Sequence, residues 1–566
     1  ESMDEDDARA ITKLMFLQAA FLIAFLIATP FLSVSKNVGL INMARTMALI
    51  FGFIGIMGAF VFCISDTGKK LAENIASFTP NFGNSEPEKK PGDIILCLDK
   101  EATDAAKKPV YEILPYKDRF LHMLALGPTG SGKTSQILLP MINQDIQNPE
   151  MGVTVIEPKG DFAQQAAMIA DHYGRPYVYF DPSIAGCPFF NPLVGPEAEV
   201  MENMATTFRM LNPNSPQYFL DQDEQLIRYA VKVLKRLDAS EGVDGKWSTF
   251  INLGRLLQNS GSQGREIINR FRTIAAPTED EGKENFDIAA WFLNDYFAER
   301  SKVYQDTSEL RSQVAKINSS KYLRSVLNPD ISRGETNQID FDKHLAEGGV
   351  ICISTAQGLL GNLGTFLGYF IILQFQSAVF RRPGNENTRR PHALYIDEFQ
   401  TYSTPGFGNM LTQGRSYRVA CILATQNRAL MAMGGGKDGK NFVELVSTNA
   451  RNIVVFPGGN SNDAKYYSDQ FGEIKKTEEM KSISRKRFNL ITGGLDKLGH
   501  PSESIRIQTK TVAAFSPSDI IHREFGEVVY CIIKNNSIQR AKVGKIQFIP
   551  KDLHDDIDQR WKAFEA

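Results

Sequence analysis

Leu124-Ala-Leu-Gly-Pro-Thr-Gly-Ser-Gly-Lys-Thr134 decides how the rest of the chain is read. It fills every position of G-x-x-x-x-G-K-[ST]: Gly127 opens the pattern, and Gly132, Lys133 and Thr134 close it. Apolar Phe120, Leu121, Met123 and Leu124 precede it as a strand would. Ser135 to Ile142 can follow as a helix, which Pro140 should kink or shorten. Strand, loop and helix together are the setting in which this pattern cradles phosphates. Glycine lets the backbone curl until successive N–H groups point inward, and the helix N-terminus adds partial positive charge. The expected cradle is Gly127, Pro128, Thr129, Gly130, Ser131 and Gly132. Lys133 should reach the β- and γ-phosphates of ATP, and the Thr134 hydroxyl should ligate Mg²⁺.

A second stretch completes the pattern. His392-Ala-Leu-Tyr-Ile-Asp397-Glu398 reads as an apolar strand ending in two acids. Asp397 is the expected holder of Mg²⁺ through its water shell, and Glu398 the expected group that orients and polarises the attacking water. A further strand, Ala420–Ala424, ends in Thr425-Gln426-Asn427. Gln426 at that tip can sense a γ-phosphate, or it can simply sit in a turn.

The chain has 566 residues, enough for several domains, with an ordinary globular composition of 43% hydrophobic and 23% charged residues. A net charge of −2 means that any nucleic-acid contact must use local basic patches. The six cysteines are scattered without C-x-x-C, which argues against a disulfide framework or a zinc site.

Residues 14–34 and 47–65 are two apolar runs, each close to the roughly 20 residues that span a bilayer. Joined by a short link, they predict a membrane hairpin over 1–70. Cytoplasmic ATP then puts both ends inside the cell and residues 35–46 outside, making this a multi-pass protein of the cytoplasmic membrane. A polar linker covers 71–92. The nucleotide-binding domain starts over 93–196, with strands at 93–98, 152–156 and 177–181 and the turn Glu157-Pro-Lys-Gly-Asp161 at the end of the second. Residues 197–328 turn helical, with stripes such as Leu226, Ala230, Val233, Leu234 and Leu237. The α/β domain resumes over 329–566. In it, Leu359–Val379 reads as a core helix, because a third span there would carry Asp397 away from ATP. Lys475, Lys476, Lys481, Arg485, Lys486 and Arg487 cluster near Phe471 and Phe488, a pattern that suits either a phosphate backbone or a solvated face. Lys545–Ile549 reads as a closing strand and 552–566 as a charged tail.

The set of motifs, from the phosphate loop through E-P-K-G-D, F-N-P-L at Phe190–Leu193, Y-I-D-E-F and G-R-S-Y-R at Gly414–Arg418 to A-T-Q-N, resembles the type IV coupling proteins of conjugation and secretion, the TraG/TraD class. It departs from the usual D-P-K-G-E by exchanging the two acids, and its loop between the membrane spans is short. The resemblance implies a RecA-like core with an inserted all-helical domain on a two-helix anchor. It implies a membrane-bound homo-hexameric ATPase that collects a relaxase with its single-stranded DNA, or secreted proteins, and passes them to type IV secretion channel proteins. It also implies that Arg415 reaches a neighbouring subunit's nucleotide as an arginine finger, with Arg418 and Arg451 as rivals. Two other classes match part of the pattern. A double-stranded DNA pump of the chromosome-segregation type usually carries more spans and a C-terminal DNA-reading module. A membrane docking protein with a merely structural ATP site would not need Lys133, Thr134, Asp397 and Glu398 intact.

Overall fold

The structure, a computed structural model, describes residues 89–565 apart from 213–214, 435–437 and 485–501. The membrane hairpin and nearly all of the linker expected from the sequence lie outside the described residues, as does the basic cluster's Arg485–Arg487.

Long apolar runs with no polar alternation need cover on both faces, and the strands at 123–126, 152–157, 350–354, 392–396 and 419–425 obey this, buried at every residue. Along the chain the strands are β1 (Ile94–Asp99), β2 (Tyr111–Leu114), β3 (Met123–Leu126), β4 (Gly152–Glu157), β5 (Tyr177–Phe180), β6 (Val350–Ser354), β7 (His392–Ile396), β8 (Val419–Thr425) and β9 (Asn452–Val455). They continue as β10 (Glu473–Ser484), β11 (Ser502–Ala513), β12 (Glu527–Cys531), β13 (Ile533–Lys534), β14 (Ser537–Ile538) and β15 (Lys542–Lys545). Among the described residues eleven of them form one sheet in the order β2-β1-β15-β12-β9-β3-β8-β7-β4-β6-β5. From β9 to β5 every pairing is parallel, and from β9 to β2 every pairing is antiparallel. The fold is therefore mixed α/β around a large, mostly parallel sheet. Successive residues of a strand feed opposite layers: Leu124 and Leu126 pack into one core, Met123 and Ala125 into the other.

One layer holds the helices Leu139–Gln147 and Asp161–His172. The other receives the chain between β5 and β6, which is helical from Glu197 to Leu327 and contains no strand among the described residues. Leu226, Ala230, Val233, Leu234 and Leu237 are fully buried there, so their spacing is packing. The way in and the way out lie side by side. Phe190 N donates to Val326 O at 2.9 Å, Gln338 N to Phe189 O at 3.0 Å, and Asn191 N to the Asn337 side chain at 2.9 Å. The F-N-P-L stretch is thus the clamp at the neck of the helical region. The apolar stretch read as a core helix spans Asn362–Arg381, and 72% of its most apolar window is buried inside the unit.

Four local readings are corrected. Phe120 and Leu121 belong to a 3-10 turn, Tyr116–Leu121, and the strand begins only at Met123. Between them His122 takes φ +59°, with its ring anchored to Leu411 O and Cys421 N, each at 3.1 Å. The helix after the phosphate loop is not simply kinked at Pro140. It opens as a π-turn, Thr134–Leu138, with Leu139 N bonded to Thr134 O, and this wide turn accommodates the proline ring and its missing donor. The closing strand is Lys542–Lys545 and not Lys545–Ile549. The charged tail is a helix, Lys551–Glu565, whose Leu553, Ile557 and Trp561 recur every four residues and face the core beside Tyr179.

Candidate functional site

Parallel strands place all their C-terminal ends at one edge of a sheet, and loops that leave that edge converge. Here β3 ends beside Thr425 of β8, and β7 ends between Ile156 of β4 and Leu423 of β8. The strand β8 therefore lies between the phosphate-loop strand and the strand that ends in two acids. Residues far apart in sequence meet as a result: Gly127–Thr134, Asp397–Glu398 and Gln426.

The loop has the shape of an anion cradle. Gly130 and Gly132 take φ +78° and +97°, where side chains are strained. A Cβ on Gly127 would lie 2.5 Å from Phe456 Cβ, so only glycine admits that approach. The Ser131 hydroxyl is buried with no hydrogen-bond partner among the described residues. Lys133 is buried and folds back onto its own loop, donating to Gly127 O at 2.6 Å and Pro128 O at 3.0 Å. Burial lowers its pKa, and the nearby charges of Asp397 and Glu398 oppose that shift.

The Thr134 hydroxyl donates to Asp397 Oδ2 at 2.6 Å, and Glu398 N donates to Asp397 Oδ1 at 2.8 Å. Burial raises the Asp397 pKa despite both bonds. Glu398 sits in the left-handed region at φ +48°, a strained conformation that turns its side chain out of the strand direction. Its carboxylate accepts from Gln426 Nε2 at 3.0 Å, from Gln400 Nε2, and from Lys159 Nζ at 3.0 Å. Burial acts to raise its pKa, but these three donors outweigh burial and hold the group below its ordinary value.

Two of these partners were missed from the sequence. Lys159 is the middle of E-P-K-G-D, which by itself reads as an ordinary turn. Gln400 lies two residues after Glu398, beyond Phe399, and its Oε1 also accepts from the Thr425 hydroxyl at 2.8 Å. Glu157, the first acid of the same turn, is 2% exposed. It accepts from Ala163 N at 2.7 Å and so caps the helix Asp161–His172. Burial pushes its pKa up to about 8, with the charges of Asp397 and Asp161 adding to the rise.

Arg415 does not join this group. It is exposed in the turn before β8, and its side chain has no hydrogen bond or ion pair with a described residue. The seven-residue strand separates it from the Gln426 edge by about 20 Å. Of its rivals, Arg418 is tied to Asn387 O, Arg389 O and the Tyr116 hydroxyl. Arg451 sits half-buried just before β9, its backbone N–H bonded to Leu121 O at 2.9 Å.

Residues 391–522 match the family model described as the TraM recognition site of TraD and TraG. Within those residues the chain carries the signature of the TraG/TraD class. That segment runs from β7, with Asp397 and Glu398, through β8 to the hairpin β10–β11, so the class signature includes one wall of the candidate site. In fold, the chain is similar to the bacterial conjugative coupling protein TrwBdeltaN70 in its unbound monoclinic form, at 16% identity and a TM-score of 0.50, covering 82% of this chain and 90% of that one. TrwB in complex with ADP and Mg²⁺ aligns at 16% identity and a TM-score of 0.49, covering 81% and 90%. VirB4 of Thermoanaerobacter pseudethanolicus aligns at 12% identity and 0.47, covering 82% and 99%. No curated protein matches the sequence.

Proposed function

We propose that this protein is a coupling ATPase of the TraG/TraD class, anchored in the cytoplasmic membrane by residues 14–34 and 47–65. In this reading it assembles as a homo-hexamer and drives delivery of relaxase-bound single-stranded DNA or secreted proteins into a type IV secretion channel. One observation supports the ATPase reading above the rest. The Thr134 hydroxyl and the Asp397 carboxylate meet at 2.6 Å beneath a glycine-shaped loop, with Glu398 held ionised beside them. A docking protein with a structural nucleotide would not need that acid.

The roles follow from the chemistry of the donors. The N–H groups of Thr129 to Thr134 cradle the phosphates, and Lys133 exchanges its two carbonyl acceptors for phosphate oxygens. Thr134 and Asp397 are the residues that would hold Mg²⁺, which supplies charge neutralisation on the β- and γ-phosphates. Glu398 positions the attacking water and takes its proton. Gln426 and Gln400 fix the direction of that carboxylate. Among the described residues the site has no second cation for charge developing on the transferred phosphoryl group, apart from Lys159 on Glu398. Arg415, without a side-chain partner among the described residues and at the far end of β8, suits a role at a neighbour's site. The helical region, about residues 197–328, is the proposed receiver of cargo.

Subunit mixing tests the ATP site and the ring together. Lys133→Ala and Arg415→Ala proteins should each lose ATP turnover by at least a hundredfold. Mixed in one membrane preparation, they should regain part of it, because some interfaces join an intact Lys133 to an intact Arg415. Full turnover by Lys133→Ala alone would overturn the site, and full turnover by Arg415→Ala alone would overturn the finger.

A further inference from the structure

The opposite edge of the sheet, where β4, β7 and β8 begin, has a feature that ATP chemistry does not use. A groove of about 630 Å³ opens there between the starts of the strands and the helix Phe341–Glu347. Arg382, Arg389, Arg390 and Arg418 line it. Guanidinium groups held this close normally sit among carboxylates, yet none of these four forms an ion pair with a described residue. Every protein acceptor they use is neutral. Arg382 donates to Tyr417 O at 3.1 Å and Arg390 O at 2.6 Å; Arg389 donates to Ser416 O at 2.8 Å. Arg390 donates to Pro149 O at 2.6 Å, and Arg418 to Arg389 O and the Tyr116 hydroxyl, each at 2.7 Å. The two acids on the wall do not neutralise them. Asp342 is already bound to Arg381, and Glu150 contributes only its backbone carbonyl, to Arg390.

The arrangement is costly in isolation. Burial, followed by repulsion from Arg389 and Arg418, pulls the Arg382 pKa down to about 10. Neutral acceptors fix each side chain in place, and the Tyr417 and Tyr116 rings lie under Arg389 and Arg418 at 4.4 and 5.7 Å, but no carboxylate pairs with the four among the described residues and each fork keeps at least two N–H donors unused. Pinned and unneutralised cations facing one concavity are what a multivalent oxyanion requires.

We propose that this arginine groove is a binding site for a phosphate-bearing anion of nucleotide or phospholipid-headgroup size, separate from the ATP site. Its position supports the separation: β8 alone puts about 20 Å between Val419, next to Arg418, and Thr425 at the ATP edge. Two sources could supply this chemistry, a soluble polyphosphate and an acidic lipid headgroup. The groove wall includes Pro91, 26 residues after the second apolar run ends at Ser65, which keeps a membrane source within the chain's reach.

The test uses full-length protein in detergent with Lys133→Ala to silence the phosphate loop. Pyrophosphate, short-chain phosphatidylglycerol and short-chain phosphatidylcholine are titrated separately, with a thymidine oligonucleotide as a fourth probe. Saturable binding of pyrophosphate or phosphatidylglycerol, weakened at least tenfold by Arg389→Gln with Arg390→Gln, is expected. Pyrophosphate alone would identify a soluble ligand; phosphatidylglycerol alone, over phosphatidylcholine, would identify a lipid. Those arginines also bind loop carbonyls, so a second variant removes nothing. Ala346→Glu, on the exposed groove wall, should abolish anion binding while raising the melting temperature, because its carboxylate relieves the repulsion. Ala346→Gln, of equal size, should keep most of the binding. Absence of saturable binding by both phosphate probes overturns the proposal. So does binding that Ala346→Glu leaves unchanged, which would also reveal residual occupancy of the phosphate loop. Oligonucleotide binding sensitive to Ala346→Glu, without binding of either small anion, would overturn it in favour of a nucleic-acid track.

Discussion

Glu398 carries more of the account than any other side chain, and its neighbours decide how it titrates. A general base works only when ionised, and Lys159 is one of three donors that keep it so. Removing that cation lets burial dominate and raises the Glu398 pKa. Lys159→Ala should therefore move the acidic limb of the turnover–pH profile to higher pH, and Lys159→Arg should restore it. A limb that stays in place in Lys159→Ala would show that the pair is incidental. Glu157 makes the opposite contribution. Its folded pKa of about 8 lies above the ordinary 4.5, so the folded state binds the extra proton. Stability from this group is then complete below about pH 4.5 and falls as pH rises toward 8. Glu157→Gln mimics the protonated form and keeps an acceptor for Ala163 N. It should melt like wild type near pH 5 and be more stable near pH 8, by on the order of a few kcal/mol. Equal stability at both pH values would mean that Glu157 is ionised without cost.

Elements were legible where one local rule dominated. The strands β4, β7 and β8 are buried on both faces, so their continuous apolar runs marked them, and the motif residues at their tips came with them. The phosphate loop with Asp397 and Glu398 was readable because its chemistry fixes residue type and spacing. Lys159 and Gln400 were not readable, because their roles depend on which strands become neighbours, and local pattern does not encode that order. The C-terminal helix was obscured by its charge, although Leu553, Ile557 and Trp561 keep the helical period. The basic cluster proves to begin on an antiparallel pair of twelve-residue strands, β10–β11, that pairs with no other strand among the described residues. A two-stranded ribbon gains little from burial, which suits an arm that makes contacts outside the unit. Lys475 and Lys476 are exposed at its base. If the arm follows a single strand of DNA, changing both to Gln should weaken binding several-fold and reduce the salt slope by about 1.4. An unchanged slope would leave the cluster as a solvated face.

At the scale of the whole molecule, the two proposed functional edges lie at opposite ends of one sheet. Loops at one end assemble the proposed ATP chemistry. At the other end lie exposed Arg415 and the arginine groove, available to a neighbouring subunit and to an anion. Between them, the helical region hangs from a clamped neck at Asn191 and Asn337. A rigid parallel sheet joins the two ends, so subunit contact and hydrolysis could be coupled without long-range refolding. The proposed membrane anchor and ring add the requirement that turnover be measured on full-length protein in bilayer nanodiscs. The central claim is that Glu398 is the base of a working ATPase, and the most direct measurement is phosphate release alongside ATP binding in Glu398→Gln. Base catalysis by Glu398 predicts ATP affinity within a few-fold of wild type and turnover lowered at least a hundredfold, with and without single-stranded DNA. Turnover at the wild-type rate in Glu398→Gln would contradict it.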